Sequence, residues 1–320
     1  MAILTVENIE KSYRIKKDKK RTKLMAVHNV SFEIKKGSCV GLVGESGCGK
    51  STLGRIINGL EKADAGKILI DGVDIHEKSR KELSCRVQMV FQDSYDAVNP
   101  RYTASQIVEE PLKNLTKLNK TEREEKIRKH LSEVGISESE WNKYGMEFSG
   151  GQLQRVCIAR ALAAEPDLIV LDEPLSSLDV SVQAQILNLL HDIQKEKELT
   201  YLLVSHDLEA VYYLADVIIV MYGGQIMEKI DSMDYFNRMQ HPYTRMLLAS
   251  VPGYEDAGGE RENNRTIYKD MGTQLEGFMG CPYCGRCRFA TERCWNERPV
   301  LQEVEKGHYI ACHKETSHAD

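Results

Sequence analysis

No stretch of this 320-residue chain approaches the roughly 20 consecutive apolar residues that a bilayer-spanning helix needs. The longest apolar segments, such as Val217 to Tyr222, have the length of buried strands, and the chain is not expected to cross a membrane by itself. A secretory signal is missing too. The opening MAILTVENIEKSY carries acidic residues early and has no basic segment followed by an apolar core, so residence in the cytoplasm is expected. Excess positive charge is likewise absent. With a formal net charge of -5 and a pI near 6.0, the chain has no basic surplus with which to neutralise phosphates, which argues against a general nucleic-acid binder. The one basic run, Lys16 to Lys23, reads as a solvated loop between two strands. Nor is the composition that of a disordered chain, at 42% hydrophobic and 28% charged residues. Its length suggests one large α/β domain with an appendage.

Cysteine is not scarce, but its distribution is uneven. Cys39, Cys48, Cys85 and Cys157 are scattered, whereas Cys281, Cys284, Cys287, Cys294 and Cys312 crowd the C-terminal end. In a reducing compartment such crowding points to metal ligation rather than disulfides.

The chemistry-bearing segments begin at Cys39–Val43, an apolar run that reads as a buried parallel strand. It leads directly into Gly44, Glu45, Ser46, Gly47, Cys48, Gly49, Lys50, Ser51 and Thr52, which match G-x-x-x-x-G-K-[ST]. Leu53 to Leu60 then shows helical spacing, completing the strand, loop and helix that a phosphate-binding loop requires. Glycines let successive backbone N–H groups turn toward phosphate oxygens, and the helix presents its positive end to them. Lys50 is expected to reach the β- and γ-phosphates of ATP, and the Ser51 hydroxyl to ligate Mg²⁺. A second strand, Leu168–Leu171, ends in Asp172 and Glu173, two carboxylates at the carboxyl edge of a parallel sheet. Asp172 is expected to hold Mg²⁺ and Glu173 to polarise the attacking water. A third strand, Tyr201–Val204, places His206 on the same edge.

Phe148-Ser149-Gly150-Gly151-Gln152 resembles the signature of the ABC ATPase family, usually written L-S-G-G-Q, with Phe148 in place of the leading Leu. Other parts of the family pattern stand in the usual order: Gln92 resembles the Q-loop, Ser176 to Asp179 the D-loop, and His206 the H-loop. Tyr13 resembles the aromatic that stacks on adenine. The resemblance implies catalytic roles for Glu173, His206, Lys50 and Gln92, with Gln92 also at the Mg²⁺. It further implies that two such domains pair head to tail. Each ATP then lies between the phosphate loop of one and Ser149, Gly150, Gly151 and Gln152 of the other, with Asp179 nearby. Ser149 can cap the helix running from Gly151 to Ala164 and so present donors to the opposing γ-phosphate.

Asn99-Pro100-Arg101 and the segment from His241 to Pro252 resemble the oligopeptide, dipeptide and nickel importer ATPases. That resemblance implies a second homologous ATPase, two membrane permeases and an extracytoplasmic solute-binding protein as partners, and a place on the cytoplasmic face of the membrane. Cys281, Cys287, Cys294 and Cys312 resemble the C-terminal cysteine motif of the larger ATPases of that group, which implies a 4Fe–4S cluster. Cys284 departs from the pattern and adds a competing ligand. Tetrahedral zinc, bound by four thiolates or by three with His308 or His313, fits the spacing as well.

The expected architecture is an α/β chain with a doubly wound, RecA-like P-loop core of ABC type. An antiparallel β subdomain comes from residues 1 to about 36 and about 64 to 75, and a helical subdomain from about 93 to 153, with Thr121 to Val134 as one helix. The nucleotide-binding domain would span residues 1–252, and a polar linker and small metal-binding extension residues 253–320. The competing readings are the ATPase of an exporter and a soluble ABC ATPase not coupled to transport. The single motif set and the short interval from Gln92 to Ser149 speak against the soluble reading.

Overall fold

The computed structural model describes residues 2–17, 20–251 and 277–314. The linker expected from residue 253 to 271, and Pro252, lie outside the described residues.

The chain opens with a long antiparallel pair, β1 (Ala2–Lys17) and β2 (Lys20–Lys35), whose register runs from Ala2 opposite Lys35 to Lys17 opposite Lys20. The basic run is therefore largely paired strand, where a loop was expected, because the ladder continues to the very end of the hairpin. With β4 (Ala65–Ile70) and β5 (Val73–Asp74) it forms a four-stranded sheet in the order β2-β1-β4-β5.

The central sheet carries the site. β3 (Cys39–Val43), β6 (Val87–Val90), β7 (Leu168–Asp172), β8 (Thr200–Ser205) and β9 (Val217–Tyr222) lie parallel in the order β9-β3-β8-β7-β6. Alternation explains why their sequences are apolar throughout. In β8, Tyr201 and Leu203 enter one core, while Leu202 and Val204 enter the core on the opposite face. Ile169 and Leu171 of β7 split from Leu168 and Val170 in the same way. A sheet covered on both faces needs apolar residues at both phases of a two-residue period. One face packs on α1 (Lys50–Ile57) and the antiparallel sheet, the other on the remaining large helices.

α2 (Arg80–Arg86) precedes β6. Between β6 and β7 the chain forms α3 (Ala104–Leu115), α4 (Lys120–Glu133) and α5 (Gly150–Ala163), with α3 packed on both others. Each starts with a reciprocal capping box, Thr103 with Gln106, Asn119 with Glu122 and Ser149 with Gln152. α6 (Val180–Lys197) and α7 (Leu208–Leu214) follow β7 and β8.

The C-terminal part joins the central sheet. β10 (Gln225–Ile230) pairs antiparallel with β9, and α8 (Pro242–Leu248) and α9 (Glu292–Asn296) follow it. β11 (Gln302–Glu305) and β12 (His308–Ile310) then add to the sheet beyond β10, giving the order β11-β12-β10-β9-β3-β8-β7-β6. The extension is thus held by strand pairing of Glu228, Lys229 and Ile230 with Ile310, Tyr309 and His308. At the seam Glu228 and His308, both at 0% exposure, bond through Oε1 and Nε2 at 2.7 Å. Among the described residues no helix is long and apolar enough to cross a membrane.

Candidate functional site

Four adjacent parallel strands end on one edge, and each delivers one of the motifs. β3 feeds the glycine loop, whose backbone is forced by close approach: Gly49 has φ 105°, and a Cβ there would stand 2.0 Å from the Ala26 carbonyl oxygen. Only glycine accommodates both conditions. The loop delivers Lys50 to the start of α1, where its side chain is 3% exposed. Its ammonium donates to the carbonyl oxygens of Gly44 at 2.7 Å and Glu45 at 3.1 Å, and stands 4.0 Å from Glu173 Oε1.

β7 ends on Asp172, whose Oδ1 accepts a 2.8 Å hydrogen bond from the Ser51 hydroxyl. Burial, as the largest cause, raises the Asp172 pKa against the lowering effect of the Ser51 bond. Two hard oxygen donors held side by side suit Mg²⁺. Glu173 follows with φ 47°, a left-handed conformation unusual for a residue with a side chain, held by its N–H donating to the Val204 carbonyl at 2.8 Å. Such strain costs on the order of 1–3 kcal/mol and tends to sit at functional positions.

The Glu173 carboxylate is the node of the site. Its Oε2 accepts from Gln92 Nε2 at 3.1 Å, just past β6, and lies 3.3 Å from Nδ1 of His206, just past β8. Glu173 is 9% exposed, whereas the His206 side chain is 52% exposed. Lys50, Ser51, Gln92, Asp172, Glu173 and His206 therefore share one sheet edge, the place where open α/β sheets bind ligands.

Comparison with known proteins sharpens this. Residues 27–176 match the model of the ABC transporter family, and residues 227–294 match the C-terminal region of oligopeptide/dipeptide transporters. The oligopeptide transport ATP-binding protein AppF of Bacillus subtilis is 41% identical over 97% of this chain and 97% of its own length. OppF of Haemophilus influenzae, also named an oligopeptide transport ATP-binding protein, is 39% identical over 98% and 97%. A post-hydrolysis dimer of the ATP-binding cassette MJ0796 with ADP and Pi superposes with a TM-score of 0.63 at 31% identity, covering 71% of this chain and 97% of that one.

The chain belongs to the ABC transporter ATPases. It is an ATP-hydrolysing enzyme of that family.

The remaining expected residues of this ABC ATPase fall in two places. Tyr13 lies on β1, its hydroxyl donating to Glu61 Oε1 at 2.6 Å and standing 3.4 Å from the Thr52 hydroxyl at the first turn of α1. Burial, first, and the Glu61 bond raise its pKa. Ser149, Gly150, Gly151 and Gln152 form the start of α5, where Ser149 Oγ accepts from the Gln152 N–H at 3.3 Å and Gln152 Nε2 donates to Glu140 at 3.2 Å. Asp179 caps α6 through a 3.0 Å bond from the Val182 N–H. The two helix starts are packed together, since a Cβ on Gly151 would meet Val182 Cγ1 at 2.3 Å. These bonds stay within the caps and their neighbours, away from the Glu173 node.

Cys281, Cys284, Cys287, Cys294 and Cys312 are all free thiols. The Cys281 N–H donates to the Cys294 carbonyl at 2.7 Å, and successive turns run through Cys281, Cys284 and Cys287. Burial foremost, with help from the surrounding thiols, pushes Cys281 up to about 12 and Cys284 to about 11. Among the described residues no group of three or more His, Cys, Asp or Glu side chains is drawn together to hold a metal ion. His308 is committed to Glu228, and His313 Nε2 to the Glu297 carbonyl at 2.9 Å.

Sequence reasoning missed the braces on the phosphate loop. The Glu45 N–H donates to the Tyr243 hydroxyl at 2.8 Å, and the Glu45 carboxylate is gripped by Arg286. Tyr243 lay inside a recognised segment, His241 to Pro252, but nothing local marks it as a partner of the loop.

Proposed function

We propose that this chain energises an ABC importer of short peptides, or of a related solute such as nickel or a metallophore, from the cytoplasmic face of the membrane. Its partners in this reading are a second, homologous ATPase, two permeases and an extracytoplasmic solute-binding protein. The ATPase half is carried by one observation, the convergence of Lys50, Gln92 and His206 on Glu173 beside the Ser51–Asp172 pair. The transport half is supported by the match of residues 227–294 and by relatives named for oligopeptide transport.

Gly44 to Thr52 and the start of α1 bind the triphosphate, with Lys50 exchanging loop carbonyls for β- and γ-phosphate oxygens. Ser51, Asp172 and Gln92 would hold Mg²⁺, which would supply charge neutralisation at the phosphates. Glu173 orients the attacking water and takes its proton, held in place by Gln92 and His206. Tyr13 offers a face to adenine. In the paired state, Ser149, Gly150, Gly151 and Gln152 of one subunit close on the γ-phosphate of the other, with Asp179 beside them.

Cys281, Cys287, Cys294 and Cys312 are proposed to hold a 4Fe–4S cluster, with Cys284 as a spare thiol. The soft thiolate donor set suits that group, and it would serve tetrahedral zinc as well. Anaerobically purified protein should contain iron and acid-labile sulfide; colourless protein with stoichiometric zinc would replace the cluster reading.

The transport reading is tested in proteoliposomes containing the complete complex. ATP hydrolysis and uptake of labelled di- to pentapeptides should both depend on the solute-binding protein. Hydrolysis that ignores that protein, or drives efflux, would overturn import.

A further inference from the structure

We infer that Arg286 is a positioning residue of the nucleotide site: by neutralising and fixing Glu45, it lets the cysteine-bearing extension set the affinity for ATP. This rests on the nucleotide site proposed above.

The contact is specific. Arg286 Nη1 donates to Glu45 Oε2 at 2.6 Å and Nη2 to Glu45 Oε1 at 2.9 Å, a two-pronged grip across 241 residues of sequence. The guanidinium stands 5.7 Å from the ring centres of both Tyr222 and Tyr283, and Nη1 reaches the Tyr222 hydroxyl at 3.4 Å. Tyr222, Tyr243 and Tyr283 pack on one another with centres 4.7 to 5.3 Å apart. Tyr283 stands between Cys281 and Cys284, Tyr222 ends β9, and Tyr243 holds the Glu45 N–H. The second residue of the phosphate loop is thus fixed at its backbone by α8 and at its side chain by the cysteine run.

A loop that binds a polyanion gains nothing from a free carboxylate at its mouth. Glu45 adjoins Gly44, and the carbonyls of both hold the Lys50 ammonium. Left unpaired, its charge would oppose the approach of phosphate, and the glycines around it would let the loop wander. Arg286 answers both, and the planar fork explains why arginine rather than lysine stands there. The fork is aimed by its own backbone. The Arg286 N–H donates to the Tyr283 carbonyl at 3.0 Å and the Cys287 N–H to the Cys284 carbonyl at 3.3 Å, so the turn that orders the thiols also orders Arg286.

The test is a double-mutant cycle on the full-length chain, reading the Kd of a fluorescent ATP analogue together with KM and kcat for ATP. Arg286→Ala should raise Kd and KM about fivefold, the scale of one well-formed, partly exposed ion pair, with kcat within about twofold of the parent. Arg286→Lys should recover part of the loss. In a Glu45→Gln background, removing Arg286 should change Kd by less than about twofold, because no charge is left to neutralise. An equal loss in both backgrounds would show that Arg286 serves only the fold of the extension and would overturn the inference, as would an Arg286→Ala protein of parental Kd. Should Arg286→Ala melt much earlier than the parent, Arg286→Lys against Glu45→Gln decides by the same comparison. Lys50→Ala is the control for the site itself: undiminished ATP binding by that variant removes the nucleotide-site reading and this inference with it.

Discussion

Replacing Glu173 by glutamine tests the centre of the site with the least disturbance of shape. The carboxylate is nearly buried and faces Gln92 Nε2 at 3.1 Å, His206 Nδ1 at 3.3 Å and Lys50 Nζ at 4.0 Å. An amide of the same size keeps an oxygen for one of these donors but cannot take a proton from water. A positioned general base contributes roughly 10²- to 10⁴-fold, about 3–5 kcal/mol of barrier, so turnover should fall by that factor. Binding should survive, because the glycine loop and Lys50 are left in place and Lys50 loses only a contact at 4.0 Å that competes with phosphate. Steady-state phosphate release, paired with equilibrium binding of ATP, separates the two effects. Size-exclusion chromatography should then show a dimer persisting with ATP but not with ADP. If Glu173→Gln turns over ATP within tenfold of the parent, the assignment of Glu173 as base is wrong, whatever its contacts.

Other expectations follow from the same geometry. Gly49→Ala puts a Cβ 2.0 Å from the Ala26 carbonyl at a φ of 105°. It should destabilise by about 2 kcal/mol or more in urea denaturation and weaken ATP binding; full stability would mean the loop is not so constrained. Glu228 accepts from the N–H groups of Gln240 at 2.7 Å and His241 at 3.1 Å as well as from His308. Glu228→Gln turns an amide donor onto that set and should cost about 3 kcal/mol in the same assay. His241, 2% exposed, is held by burial at about 4 rather than 6.5. Between those values the unfolded chain binds the extra proton and the folded chain does not, so stability falls as pH drops through this window, by up to about 3 kcal/mol. His241→Asn, which can still cap α8, should flatten the dependence of melting temperature on pH between about 6.5 and 4.

What could be read from the sequence was what local chemistry dictates. Strands buried on both faces announce themselves as short apolar runs, so Cys39–Val43 and Leu168–Leu171 were legible, and the motifs at their ends followed. Boundaries were less legible where function overrides pattern. The helix read from Leu53 to Leu60 in fact spans Lys50–Ile57, because its first turn is spent on polar residues of the loop and Gly59, with φ 69°, ends it early. The Glu45–Arg286 grip could not be seen, since 241 residues separate its partners and each looks like an ordinary surface charge. In the extension the cysteines pointed to metal as the organising force. The short strands Gln302–Glu305 and His308–Ile310, turned at Gly307, carry too few apolar residues to announce that they extend the central sheet.

The two sides of the proposed composite site are joined within each chain by very little. From Glu173 the backbone turns at once: Ser176 donates to the Glu173 carbonyl from its N–H at 3.3 Å and its hydroxyl at 3.2 Å, and Leu178 N–H reaches Leu175 at 3.1 Å. Asp179 then caps α6, whose Val182 is wedged against Gly151 at the start of α5. The wedge leaves no room for a Cβ, so the beginnings of α5 and α6 cannot slide past each other without repacking. In the proposed paired state, a displacement of Glu173 on hydrolysis would be passed through one turn to a stiff surface that carries Ser149 and Asp179, the surface that reading turns toward the other subunit. On that reading, coupling between chemistry and subunit separation would need no long pathway, because the proposed base and the proposed partner-facing caps are the two ends of one short, tightly bonded segment.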